Sequence, residues 1–174
     1  MHECSSTTRQ EFDSTHEKPY HYTNSGLPNI YLVGVRQFKC ECGETFVEIP
    51  AIKQLMSLIA RHLAMKNEFL TGFEIRFLRK QLGQKATDFA TNVKLQAETL
   101  SRIENGKQQA GEKTDLYIRI YYAFESKDPV LLDTLKTALD KVLSGRKAKA
   151  PKKPPKTVAK IEHDEWALEA AAGR

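Results

Sequence analysis

Ala97, Glu98, Ser101, Arg102 and Asn105 recur at spacings that place them on one side of a helix reading from about Gln96 to Asn105, with Leu100 and Ile103 on the other. The polar set is short or hydrogen-bonding, a chemistry suited to the edges of nucleobases. Arg102 can donate two hydrogen bonds to a guanine edge, and Glu98, one turn earlier, can accept from cytosine or orient that arginine. The plainer alternative is a surface ion pair between the two, worth roughly 0.3 to 0.5 kcal/mol. Upstream, Gln84 and Lys85 open another helix, where an amide and a cation can meet a phosphate with the helix dipole helping. Lys107 suits a phosphate better than a base.

Three short helices must position these groups. The first opens with a capping box, in which the Thr71 hydroxyl accepts from the amide of Glu74 while the Glu74 carboxylate reaches back to the amide of Thr71. Ile75, Leu78 and Leu82 form its apolar stripe, and Gly83 suits the left-handed residue that ends it. The second, about Gln84 to Val93, buries Phe89, Ala90 and Val93, the small Ala90 allowing close approach of the third. The third buries Leu100 and Ile103 and stops at Asn105-Gly106.

The run Glu98-Thr99-Leu100-Ser101-Arg102-Ile103-Glu104-Asn105-Gly106-Lys107, preceded by Leu70-Thr71-Gly72-Phe73-Glu74-Ile75-Arg76-Phe77-Leu78-Arg79-Lys80, closely resembles the Xre/Cro-type helix-turn-helix repressors. It is similar in particular to the MqsA/YgiT-type antitoxins and their stand-alone regulator relatives, which set a small cysteine-bearing β domain before the DNA-binding domain. Tyr20-His21-Tyr22-Thr23-Asn24-Ser25-Gly26-Leu27 and Cys40-Glu41-Cys42-Gly43-Glu44 carry the N-terminal part of the resemblance. It implies an α+β chain: a small antiparallel sheet, degenerate and zinc-knuckle-like, then an all-α lambda-repressor-like helix-turn-helix domain. It also implies a homodimer on double-stranded DNA, contacted by Gln84, Lys85, Gln96, Ala97, Glu98, Thr99, Ser101, Arg102, Asn105 and Lys107. In the antitoxin relatives the N-terminal sheet captures a toxin. Two positions depart from the pattern. Lys94 stands where the turn usually has glycine, and positive φ there costs a non-glycine residue on the order of 1 kcal/mol. Gln96 replaces the usual Ser or Thr cap.

The cysteines could ligate zinc. Cys40 and Cys42 resemble a knuckle with one residue between the sulfurs in place of the usual two, and a tetrahedral site would add Cys4 and a histidine from His2, His16 or His21. The alternative is a degenerate knuckle held by strand packing alone. Three cysteines cannot all pair within one chain, which argues for a reducing compartment. With no apolar run near the roughly 20 residues a membrane span requires, and a polar start at Met1-His2-Glu3-Cys4-Ser5, a cytoplasmic protein is expected.

The chain has 174 residues and a net charge of +5. Residues 146 to 160 carry seven Lys/Arg and no acid, so the remainder is mildly acidic and the basic balance belongs to one segment. Residues 71 to 107 hold seven Lys/Arg against four acids, including Arg76 and Arg79, a local excess placed where phosphate contacts need it. Composition divides the chain into a flexible N-terminus (1–19), a β domain (20–50), a linking helix (51–66), the helix-turn-helix domain (67–125), an additional helix (126–144) and a disordered Pro/Lys-rich basic tail (145–174). In the β domain, Tyr20–Tyr22, Ile30–Lys39 and Thr45–Ile49 read as one three-stranded antiparallel sheet. Asp128-Pro129 should start the additional helix, Ile161–Ala172 at most a marginal one, and Tyr117, Tyr121 and Tyr122 read as core and dimer packing. No HExxH, phosphate-cradling loop or Gly-x-Ser-x-Gly elbow is present, so catalysis is not expected.

Overall fold

Ile30 to Lys39 is not one strand, because the chain turns at Gly34, whose φ of +81° lies in the left-handed region. Before the turn, β3 (Ile30–Val33) joins one sheet; after it, β4 (Arg36–Cys40) joins another. Ser14 holds the break: its amide donates to Val35 O and its carbonyl accepts from Gly34 N, both at 2.9 Å, and its hydroxyl accepts from Val35 N at 3.0 Å. Every backbone group at the switch with one of these bonds is thereby kept from being buried unpaired.

The computed structural model describes residues 9–40, 44–133, 156–163 and 165–169. These fall into two units, one holding residues up to Leu58 together with those from 156 onward, the other Ile59 to 133. In the first, β1 (Arg9–Asp13), β4 and β5 (Thr45–Glu48) form a three-stranded antiparallel sheet in the order β1-β4-β5. A second, four-stranded sheet has the order β2-β3-β6-β7, with β2 (Tyr20–His21), β6 (Thr157–Glu162) and β7 (Glu165–Glu169). Only the β3–β6 pair in it is parallel.

Two expectations are corrected here. Residues 9–13, assigned to a flexible N-terminus, form β1; this polar edge strand draws on its ladder with β4 and on the 2.9 Å Arg36–Glu11 ion pair rather than on apolar content. Residues 157–169, assigned to a disordered tail with a marginal helix, form the β6–β7 hairpin, which turns at His163 (φ +50°). Alternation decides it: Thr157, Ala159 and Trp166 are buried, and β-branched Thr157, Val158 and Ile161 fit a pleated surface better than a helix. Thr157 N donates to Asn29 O at 2.8 Å, and the Trp166 indole N–H donates to Pro50 O at 2.8 Å. Trp166→Phe keeps an aromatic ring but removes that donor, and should cost about 1 to 2 kcal/mol in denaturant unfolding of the full chain followed by circular dichroism. An unchanged midpoint would show that the indole bond contributes nothing.

Helix α1 (Ile52–Met65) crosses from one unit to the other. The second unit continues with α2 (Gly72–Gln81), α3 (Ala86–Asn92), α4 (Ala97–Glu104) and α5 (Glu112–Ser126). The capping box forms as expected, with Glu74 N donating to Thr71 Oγ1 at 3.4 Å and Thr71 N to Glu74 Oε2 at 2.6 Å. Gly83 takes φ +66° after α2. Leu63, Leu70, Ile75, Leu78, Phe89, Leu100, Ile103 and Ile118 are buried.

A buried ion pair on α5 ties this core together. Arg119 donates to Asp115 at 2.7 Å and to the carbonyls of Leu63, Ala64, Lys66 and Glu68, so a cation satisfies the orphan acceptors at the end of α1. Asp115 in turn accepts from Leu70 N at 2.6 Å. Residues 129–133 are helical, started by Asp128, whose Oδ1 accepts from the amides of Val130 and Leu131. The rest of the expected additional helix, to 144, and most of the basic segment lie outside the described residues. No helix among the described residues is long and apolar enough to cross a membrane.

Candidate nucleic-acid interface

The connection between α3 and α4 has the two weaknesses expected of it. Lys94 adopts φ +57°, and Gln96 caps α4 without any side-chain hydrogen bond. Backbone bonds from Lys94 N to Thr91 O at 3.2 Å and from Leu95 N to Ala90 O at 2.8 Å close the turn. On α4, Leu100, Ile103 and Glu104 are buried while Ala97, Glu98, Ser101 and Arg102 are exposed, with Thr99 half-buried. Gln96, Asn105 and Lys107 are exposed beside them, as is Lys85 before α3. Among the described residues no ion pair joins Glu98 to Arg102, so the side chain of Arg102 is not committed to its own helix.

The position of α4 is set from α2. Gly72, the first residue of α2, lies so close to the end of α4 that a Cβ there would stand 2.0 Å from Ile103 O. Glu104 turns inward and accepts from Arg79 at 2.7 and 2.8 Å and from Arg76 at 3.2 Å. The Glu104 carboxylate, hydrogen-bonded to it, raises the Arg79 pKa further, against the opposing effect of burial. Arg79 also donates to Gln84 O at 2.9 Å, and Arg76 to Asn105 Oδ1 at 2.7 Å.

Several of the side chains expected at the interface have partners within the chain. Arg76 and Arg79, counted among the cations available to phosphate, are spent on Glu104. Asn105 is held between Arg76 and Ser101, donating to Ser101 O at 2.8 Å. The Gln84 amide points to Tyr121, donating to its hydroxyl at 2.7 Å. The local charge excess survives, because Glu74 is likewise paired, with Lys66 at 2.8 Å. What stays exposed is Lys80, Lys85, Lys94, Arg102 and Lys107 against Asp88 and Glu98. The i,i+3 spacing of Arg76 and Arg79 was the available sign that both could converge on one acid, but nothing local names Glu104 as that acid.

The cysteine site reads differently. Cys40, buried at the end of β4, is disulfide-bonded, and in that form its sulfur is not the thiolate that zinc requires. Cys4 and Cys42 lie outside the described residues. Among the described residues no group of three or more His, Cys, Asp or Glu is arranged to hold a metal. Comparison with protein-family models, curated proteins and solved structures finds no match for this chain.

Proposed function

We propose that the chain is a sequence-specific DNA-binding repressor that lays α4 in the major groove of double-stranded DNA and acts by occupancy, without chemistry. The observation that carries this reading is the division of α4, whose apolar side is buried while Ala97, Glu98, Ser101 and Arg102 face outward. Arg102 is the residue assigned to base contact, with Lys85 and Lys107 on flanking phosphates. The chain acts as a homodimer with half-sites one turn, roughly 34 Å, apart. Support for pairing comes from exposed apolar side chains on and after α5, Phe124 at 69% and Val130 at 49% exposure.

Selection of bound oligonucleotides from random duplex DNA, at two salt concentrations, should return a preferred site and its electrostatic share. On that site Arg102→Ala should lose about 1 to 3 kcal/mol of affinity by fluorescence anisotropy. Unchanged binding would remove Arg102 from the interface.

A second reading is an antitoxin that also binds a toxin through its N-terminal sheet. Phe12 and Phe46 favour it: both are nearly half exposed, on the two edge strands of β1-β4-β5. A toxic protein that co-purifies, and is released when Phe46→Ser is introduced, would support this role.

A further inference from the structure

Tyr121 lies on α5, yet its hydroxyl binds residues flanking and ending α3. Gln84 Nε2, just before α3, and Asn92 Nδ2, its last residue, each donate to Tyr121 Oη at 2.7 Å. The Tyr121 ring meets Phe89, in the middle of α3, edge-on at 5.7 Å and 71°. One side chain therefore touches the segment leading into this helix, its centre and its end.

The helix needs outside support. Seven residues long, with two threonines and an asparagine in Ala-Thr-Asp-Phe-Ala-Thr-Asn, it is far below the length at which a helix is stable alone. Its cap Lys85 provides no side-chain hydrogen bond, and the turn that follows it carries the Lys94 strain and the uncapped Gln96. Phe89 and Ala90 anchor its inner side, but burial of one side leaves rotation about that contact open. Two hydrogen bonds to one hydroxyl, one from each end, remove that freedom.

We infer that Tyr121 is a positioning residue for DNA binding: by holding Gln84 and Asn92 it sets the orientation of α3, and with it the placement of Lys85 and α4 on the duplex. This rests on the DNA-binding reading above. Tyr121 itself touches no base in this scheme.

The test uses full-length Tyr121→Phe, which keeps the ring against Phe89 and deletes only the hydroxyl, with Tyr117→Phe as control because, among the described residues, Tyr117 Oη makes a single long hydrogen bond, to Asn92 O at 3.5 Å. Two readouts are taken: amide hydrogen exchange across residues 86–96, and affinity for the selected duplex as a function of salt. Tyr121→Phe should speed exchange in α3 and weaken binding about fivefold, what one or two neutral hydrogen bonds are worth. Its salt slope should be shallower, while Tyr117→Phe changes neither. Gln84→Ala should reproduce the loss, and the double variant should bind no worse than the weaker single one. Unchanged exchange refutes the clamp, whatever DNA does. Faster exchange with unchanged affinity and salt slope confines Tyr121 to packing and overturns the positioning role. If the unmodified chain shows no preference among duplexes, the DNA-binding reading fails and the role in DNA binding falls with it, while the exchange data still report whether the clamp exists.

Discussion

Gly72→Ala should destabilise the helical unit by about 3 kcal/mol, the upper range for overpacking a filled site. That corresponds to a fall of about 15 °C in its thermal midpoint. Alanine is otherwise the better helix former, by roughly 1 kcal/mol, so propensity alone predicts the opposite sign. Space decides. The added Cβ would lie 2.0 Å from Ile103 O and 3.0 Å from Ile103 C, and both are backbone atoms of α4 that no rotamer change can move. Relief requires the end of α4 to separate from the start of α2, disturbing the capping box at Thr71 and the Glu104 contacts together. Gly83→Ala is the matched control: φ is +66° there and nothing lies within 4 Å of the added carbon, so only the torsional cost of about 1 kcal/mol applies. Melting the two variants beside the unmodified chain by far-UV circular dichroism separates crowding from torsion. Equal midpoints for both would mean that α2 and α4 are not in contact at Gly72.

Features legible in the sequence are those decided within a few residues. The Thr71/Glu74 box, the left-handed Gly83, the positive φ of Lys94 and the inward positions Leu100 and Ile103 all depend on neighbours three or four residues away, and sequence spacing exposes such relations directly. The β unit depends on distant partners. The strand break at Gly34 requires Ser14, and the β6–β7 hairpin requires the edge of β3, more than a hundred residues earlier. Composition pointed the other way in the C-terminal segment, since a run of lysines and prolines next to 157–169 masked a strand pair whose evidence is the alternation around Ala159 and Trp166. At the candidate interface, periodicity located the exposed face of α4. It could not assign partners: a surface arginine facing phosphate and one facing a buried carboxylate look alike in sequence, so Arg76 and Arg79 were separated from Arg102 only by the position of Glu104. The bond from Gln84 to Tyr121 is hidden from sequence for the same reason, since Tyr121 is on another helix.

Glu104→Ala is expected to be the most damaging single change, about 3 to 5 kcal/mol, the cost of leaving one member of a buried ion pair without its partner. The side chains of Arg79 and Glu104 are 12% and 6% exposed, so water reaches neither well enough to replace the lost interaction. Removing the carboxylate strips Arg79 of two hydrogen bonds and Arg76 of one, leaving Arg79 with Gln84 O and Arg76 with Asn105. Glu104→Gln keeps the volume and one acceptor oxygen but loses the charge, so its loss should be intermediate. The double variant Arg79→Met, Glu104→Leu removes the most buried pair at once, leaves the more exposed Arg76 with Asn105, and should recover most of the stability, because desolvating a matched pair costs nearly as much as its attraction returns. The two contributions, to stability and to placement, then become separable. If the network serves only folding, the double variant should bind the selected duplex as tightly as the unmodified chain. If it also fixes α4 at the angle that Arg102 needs, the double variant should melt normally yet bind more weakly, since a leucine–methionine contact lacks the directional bonds that join α2 to α4 and, through Gln84 O, to the entry of α3. Denaturant midpoints and duplex affinities measured on the same four proteins decide between these outcomes.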